Sequence, residues 1–267
     1  MSRIAKTFEA ARARKRPAFV AYITVGDPSL EATVSIVGAL ERAGVDIVEL
    51  GMPFSDPVID GPIIQLASGR ALRAGTTLAK TFDLVTELRR TTEMPLVLYS
   101  YLNPIMRYGV EAAAKRAAEV GIDGMLTVDM PAGAAPEVTR AYRTHGLDPI
   151  LLITPTTSAP RRAAIAEQGG GFLYLVALRG VTGVQAASAD AATAMVADVR
   201  KVTDLPIAVG VGIRTPEQVA GIGQAADAVV VGSALVAVIA DHGAKPDLAR
   251  QVERAAAALV AALPTRP

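Results

Sequence analysis

Eight short apolar runs, each separated from the next by a segment of helical pattern, constrain the fold of this chain more than any other feature. They are Phe19–Val25, Ile47–Gly51, Leu96–Ser100, Gly124–Val128, Pro149–Ile153, Phe172–Val176, Pro206–Val209 and Ala228–Val231, and most end in Gly, Pro, Asp or Asn. The intervening segments predict helices at about 29–43, 77–91, 110–120, 133–145, 160–168, 189–202, 215–223 and 246–262. Strand and helix patterns in strict alternation imply parallel strands joined by crossover helices. Eight such units in 267 residues predict a (β/α)8 TIM barrel, whose usual length is about 250 residues. An open doubly wound sheet is the runner-up. No linker or low-complexity tract divides the chain, so residues 1–267 are expected to form a single domain. Ile4 and Phe8 share one face of a basic N-terminal stretch, which predicts an extra amphipathic helix ahead of the first strand.

The composition narrows the chemistry. Zero cysteines rule out disulfides and thiolate catalysis, and two isolated histidines offer no metal cluster, so no metal site is expected. Acid–base work must then rest on carboxylates and tyrosines. A net charge of +1 with 20% charged residues creates no global field for nucleic acid or a membrane surface, and neither is expected as a partner. The longest apolar stretch, 225–240, is broken by Asp227 and a Gly-Ser pair and does not read as a spanning helix. The basic first sixteen residues have no cleavage-site pattern after them, and the expected location is cytoplasmic.

In a barrel the loops after the strands converge on the catalytic face. The richest such segment is VDIVELGMPFSDPVIDGPIIQ (45–65), in which an apolar run carries Glu49 and a Pro/Gly-rich loop carries Asp56 and Asp60. Barrel strands are covered on both faces, so Glu49 is either a buried ion-pair partner or a functional acid. Poor solvation raises a carboxyl pKa and suits it to proton transfer near neutral pH. Asp60, before Gly61-Pro62, fits a turn or helix N-cap as well as a functional role. Asp27 and Asp56, each before a proline, read as turn residues, and Asp129 is open. His145 and His242 each precede a glycine at a predicted helix end, where a cation suits the dipole, and are excluded from the chemistry.

Two late segments, AVGVGIRTPEQV (208–219) and ADAVVVGSALV (226–236), each run a strand into glycines and then a helix start. Glycines let backbone amides approach an anion, and a helix N-terminus adds unpaired N–H groups and a positive dipole end. Coming after the seventh and eighth runs, they match the recurrent barrel phosphate site. Turn glycines with an ordinary Ser233 N-cap are the alternative. GVTGV (180–184), after the sixth run, is a third glycine-bearing loop, either a lid or a plain connector.

VELGMPFSDPVIDGPIIQ (48–65) closely resembles the signature of the tryptophan synthase α subunit family. YITVGDP (22–28), YSYLNP (99–104), DMP (129–131), TPTTS (154–158), GVTG (180–183), VGVGI (209–213) and VGSALV (231–236) extend the likeness across nearly the whole chain. The resemblance implies a lyase that splits indole-3-glycerol phosphate into indole and glyceraldehyde 3-phosphate in tryptophan biosynthesis. It implies no cofactor in this chain, and a pyridoxal-phosphate β subunit that receives the indole in an α2β2 heterotetramer. Carried over residue by residue, Glu49 gives and takes the protons, Asp60 accepts the indole N–H, and Tyr174 assists near the reacting carbon. Tyr22, Tyr101, Leu126 and Ile153 match the indole pocket, Val211 is counted with the substrate-binding positions, and Thr182 belongs to the lid that orients Asp60. Gly183, Gly212, Gly232 and Ser233 match the phosphate contacts. Ile59, Ala177 and Val211 depart from the family's common residues, which bears on pocket shape and loop closure rather than on reaction type.

Three other readings compete. A stand-alone lyase would release free indole, and a non-catalytic barrel would bind a phosphate ligand with its acids structural. Another sugar-phosphate aldolase or isomerase would need a Schiff-base lysine or metal ligands, yet no lysine lies at a predicted strand end.

Overall fold

Each strand is a run of β-branched and aliphatic residues buried on both faces, and parallel pairing satisfies its backbone. In the computed structural model, which describes residues 1–131, 133–176, 189–210, 212–243 and 245–266, the strands are β1 Ala18–Thr24, β2 Ile47–Gly51, β3 Leu96–Ser100, β4 Gly124–Thr127, β5 Asp148–Ile153, β6 Leu173–Val176, β7 Ile207–Gly210 and β8 Ala228–Val231. They lie in sequence order, all parallel, and β1 pairs with β8 through Ala18–Ala228 and Val20–Val230. That last pairing closes the barrel and excludes the open sheet.

The two-residue period of a strand sorts the side chains into two sets. Val20, Ile47, Val97, Leu126, Ile150, Tyr174, Ala208 and Val230 fill the barrel interior. Phe19, Val48, Leu50, Leu98, Ile153, Leu175, Val209 and Val231 point outward beneath the helices. The helices are α1 Arg3–Ala13, α2 Leu30–Arg42, α3 Pro62–Arg73, α4 Leu78–Leu88, α5 Leu102–Tyr108, α6 Val110–Val120, α7 Pro136–Thr144, α8 Ala159–Gln168, α9 Ala189–Arg200, α10 Pro216–Gly223, α11 Ser233–His242 and α12 Leu248–Val260. Helix α1 is the expected extra one. Ser2 caps it, Ile4 and Phe8 are buried, and the Phe8 ring packs 5.8 Å from Phe172, so α1 stoppers the barrel end opposite the strand C-termini.

The strands fall where the apolar runs predict, to within about two residues, whereas three helices do not appear among the expected ones. Helix α3 starts from Gly61 with Pro62 in its first turn and buries few residues, Ala67, Ser68 and Ala71, so its sequence shows no full apolar stripe. Helix α5 has seven residues and carries Pro104. Helix α11, SALVAVIADH, is apolar on nearly every side, and uniform hydrophobicity hides a helical period. Both α3 and α11 flank the open end of the barrel, where they complete the site.

Candidate active site

Glu49 lies in β2, paired in register with Tyr22 of β1 and Val97 of β3, which turns its side chain into the barrel. It is fully buried, and among the described residues no group hydrogen-bonds to either carboxyl oxygen. Desolvation disfavours the anion and pushes this carboxyl up to about 8. The ion-pair alternative therefore finds no cation among the described residues, and at neutral pH Glu49 is a protonated acid inside an apolar wall.

Asp60 is nearly as buried, although it sits in the loop before α3. Its Oδ1 accepts from the Tyr99 hydroxyl at 3.1 Å and its Oδ2 from the Tyr101 hydroxyl at 3.2 Å. Its backbone carbonyl accepts from Gln65 Nε2 at 2.8 Å. The N-cap of α3 is Gly61, so Asp60 is not the cap. Burial raises the Asp60 carboxyl above the usual aspartate range, and the two phenol donors act against that rise.

The aromatic groups are set by the strand ends. Tyr22 and Tyr99 meet edge to face with centroids 5.0 Å apart, and Tyr101 stacks on Phe54 at 4.8 Å. The Tyr101 hydroxyl also accepts the Ile59 amide at 3.1 Å, tying the loop to β3. Tyr174, in β6, is buried, and its phenol pKa lies well above the ordinary value, first from burial and then from the charge of Glu49. A Cβ at Gly210 would fall on the Tyr174 hydroxyl, and one at Gly51 on the Tyr22 phenol. Gly210→Ala is therefore expected to displace Tyr174 or to cost about 1–3 kcal/mol of overpacking, seen as a lower thermal midpoint together with reduced turnover.

Glu49, Asp60, Tyr22, Tyr99 and Tyr174 line one cavity of about 300 Å³, with Leu152, Val128 and Val176 on its apolar side and Gly212, Gly232, Ser233 and Arg214 at its rim. Gly212 has a φ of +77°, a left-handed conformation that glycine adopts without strain. Gly232 is the N-cap of α11 without a side-chain cap bond, and Ser233 is the first helical residue. The helix start is thus presented to the cavity rim. The site accordingly pairs an apolar slot holding two carboxyl groups with a rim of glycine backbone and a helix N-terminus, suited to a planar apolar group bearing an anionic tail.

Several sequence expectations change here. Ile153 points outward into the packing under the helices, and its neighbour Leu152 lines the cavity instead. Leu126 belongs to the barrel interior but is not among the cavity-lining residues. Tyr99, Arg214 and the α3 residues Ile63 and Ile64 join the cavity although the sequence did not single them out. A strand-end tyrosine two residues before Tyr101 was the available signal for Tyr99. Thr182, Gly183 and Val211, like Ala177, lie outside the described residues. Asp27 is buried and gripped by Arg70 of α3 through bonds of 2.7 and 2.8 Å, so it fastens α3 to the β1 loop. Asp129 caps the start of α5 by accepting the Leu102 amide at 2.7 Å. Among the described residues no group of three His, Asp or Glu side chains is arranged to hold a metal ion.

Comparison with known proteins converges on one family. The model of the family described as tryptophan synthase alpha chain matches residues 8–263. A tryptophan synthase alpha chain from Geobacter sp. (strain M21) is 51% identical over 236 residues, 88% of each chain. One from Thioalkalivibrio sulfidiphilus is 47% identical over 253 residues, covering 94% of this chain and 95% of the relative. The crystal structure of tryptophan synthase subunit alpha from Legionella pneumophila str. Paris superposes with a TM-score of 0.90 at 38% identity, covering 98% of both chains. A chain of Mycobacterium tuberculosis tryptophan synthase superposes with a TM-score of 0.88 at 35% identity, covering 100% of this chain and 99% of that one.

Proposed function

The chain belongs to the tryptophan synthase alpha chain family, and from that premise we propose how its residues cleave indole-3-glycerol phosphate to indole and glyceraldehyde 3-phosphate. The bond to be broken joins indole C3 to the glycerol chain. Neutral Glu49 protonates C3, which places a positive charge on the ring nitrogen. Asp60 accepts the indole N–H and stabilises that charge as it develops. The Glu49 carboxylate then takes the proton of the hydroxyl next to C3. The C–C bond breaks, its electrons return to the ring, and indole and the aldehyde leave with Glu49 protonated again. The observation that carries this reading is Glu49 itself, a wholly buried carboxyl held near 8, poised to lose and regain a proton at neutral pH.

Tyr174 flanks the reacting carbon, Tyr22 forms part of the indole wall, and Tyr101 acts through its bond to Asp60. Leu152 takes the place first given to Ile153. Gly212, Gly232 and Ser233 bind the phosphate with the α11 N-terminus, joined by Gly183, while Thr182 helps to orient Asp60 and Val211 contacts the substrate. These last three roles rest on the family likeness. Asp60→Asn keeps the shape of the side chain but cannot stabilise the cationic ring, so kcat is expected to fall by about 10²–10³, measured as indole released from indole-3-glycerol phosphate. Absence of indole release by the purified chain, with and without a β subunit, would overturn the whole reading. A non-catalytic binding barrel predicts that Asp60→Asn changes nothing.

The chain works without a cofactor of its own and passes indole to a β subunit that holds pyridoxal phosphate, in an α2β2 assembly. The docking face includes Val58, Leu66 and Met106, apolar side chains 82%, 65% and 59% exposed. Val58 and Leu66 flank the Asp60 loop, so partner docking is felt at the site. A stand-alone lyase would show a rate unchanged by adding the β subunit. Residues 1–267 work as one domain, since the first and last helices both pack on the same barrel, and the location is the cytoplasm. No helix among the described residues is long and apolar enough to cross a membrane.

A further inference from the structure

Among the described residues the Asp60 side chain is held by two hydroxyls, one from β3 and one from the residue that follows it. The groups facing it are Tyr22 of β1, Glu49 of β2, Tyr99 and Tyr101 of β3 and its following loop, and Tyr174 of β6, with Arg214 at the cavity rim. Among the described residues no cation pairs with Asp60, and the two phenol hydroxyls supply its direct side-chain bonds. Tyr101 has a second task, accepting the Ile59 amide. Tyr99 donates to Asp60 from a ring fixed edge-on against Tyr22, on a strand hydrogen-bonded on both sides.

We propose that Tyr99 is a positioning residue for the cleavage reaction, its hydroxyl fixing the Asp60 carboxylate as an oriented acceptor for the indole N–H. This rests on the assignment of Asp60 as the group that accepts that N–H. Each Asp60 oxygen uses one lone pair on a tyrosine and keeps another for substrate. The strand end thereby helps to orient a loop acid. The same donor favours the charged form of Asp60 in a poorly solvated cavity, where a lone carboxylate would take up a proton.

Tyr99→Phe removes the hydroxyl and keeps the ring against Tyr22. With the donor gone, the Asp60 carboxyl should titrate at higher pH, moving the acid limb of the kcat/KM profile up by about one unit, and kcat should fall about tenfold with KM changing less. The Asp60 titration is read separately by 13C NMR of chain labelled at aspartate carboxyls, assigned by the signal lost in Asp60→Asn. Tyr99→Met removes the hydroxyl with a different apolar shape and must displace both titrations in the same direction. An unmoved Asp60 titration and acid limb in both variants, with Asp60→Asn still impaired, would overturn the role of Tyr99 and leave that of Asp60 standing. Turnover by Asp60→Asn at the wild-type rate would overturn the role of Asp60, and that of Tyr99 with it.

Discussion

Replacing Glu49 with Gln is expected to abolish indole release while leaving substrate affinity within a few-fold of wild type. The amide matches the carboxyl in size but carries no proton that can be given to C3 and recovered from the hydroxyl. Losing such a group typically costs a factor of about 10²–10⁴ in rate. Glu49 serves first as an acid, so wild-type turnover should fall as pH rises through its pKa of about 8. Wild-type-like turnover in Glu49→Gln would eliminate the proton-transfer role.

The same substitution should stabilise the fold. In the unfolded chain Glu49 titrates near the ordinary value of 4.5, whereas in the folded barrel it titrates at about 8. Between those values the folded state holds a proton that the unfolded state has lost. Its contribution is therefore fully present below about pH 4.5 and declines as pH rises, by about 1.4 kcal/mol per unit, until about pH 8. Glu49→Gln removes that decline. Denaturant unfolding at pH 5 and pH 8.5 should show the variant gaining on wild type by a few kcal/mol at the higher pH. An equal pH dependence in the two proteins would mean that Glu49 is not protonated in the folded state. Stability sacrificed at a buried acid is the trade expected where function requires an uncompensated group.

The second large effect lies at the opposite end of the barrel. Asp123, buried just before β4, accepts from Arg89 Nη2 at 2.7 Å, from Arg3 Nη1 at 3.2 Å and from the Leu96 amide at 2.9 Å. It thereby joins α1, the end of α4 and the start of β3. Asp123→Ala leaves the Arg89 guanidinium, whose side chain is 11% exposed, without its counter-charge and the Leu96 N–H without its acceptor. Breaking a buried pair in this way costs about 3–5 kcal/mol, and for a chain of this size that lowers the thermal midpoint by about 10 °C. Asp123→Asn keeps an acceptor for the amide and should lose less. Calorimetry of the two variants checks the order, and a midpoint within 2–3 °C of wild type for Asp123→Ala, about the shift from 1 kcal/mol, would show that the cluster contributes little.

How far the site can be read from the sequence differs residue by residue. Glu49 was legible because a carboxylate within a run of β-formers is conspicuous wherever strands are covered on both faces. The cavity-lining Gly212, Gly232 and Ser233 were legible from glycines placed where a strand hands over to a helix. Asp60 was not. Its surroundings come from Tyr99 and Tyr101, 39 and 41 residues away, and nothing local distinguishes it from a turn aspartate. Ile153 and Leu152 show the opposite failure. Both faces of β5 are apolar, so the run PILLI does not say which side chains enter the barrel, and a one-residue slip exchanges them.

Local pattern in the sequence was enough to read the alternation of strand and helix and to favour a barrel over an open sheet, with the candidate site at the C-terminal ends of the strands. Short-range pattern suffices for that, because each βα unit buries its apolar positions in the same way. Which face of each strand lines the cavity, what holds Asp60, and how strongly Glu49 resists ionising depend on how distant strands and loops come together. A carboxyl's pKa reflects the water it has lost and the donors it has gained, and both are supplied by residues from strands and loops spread along the chain.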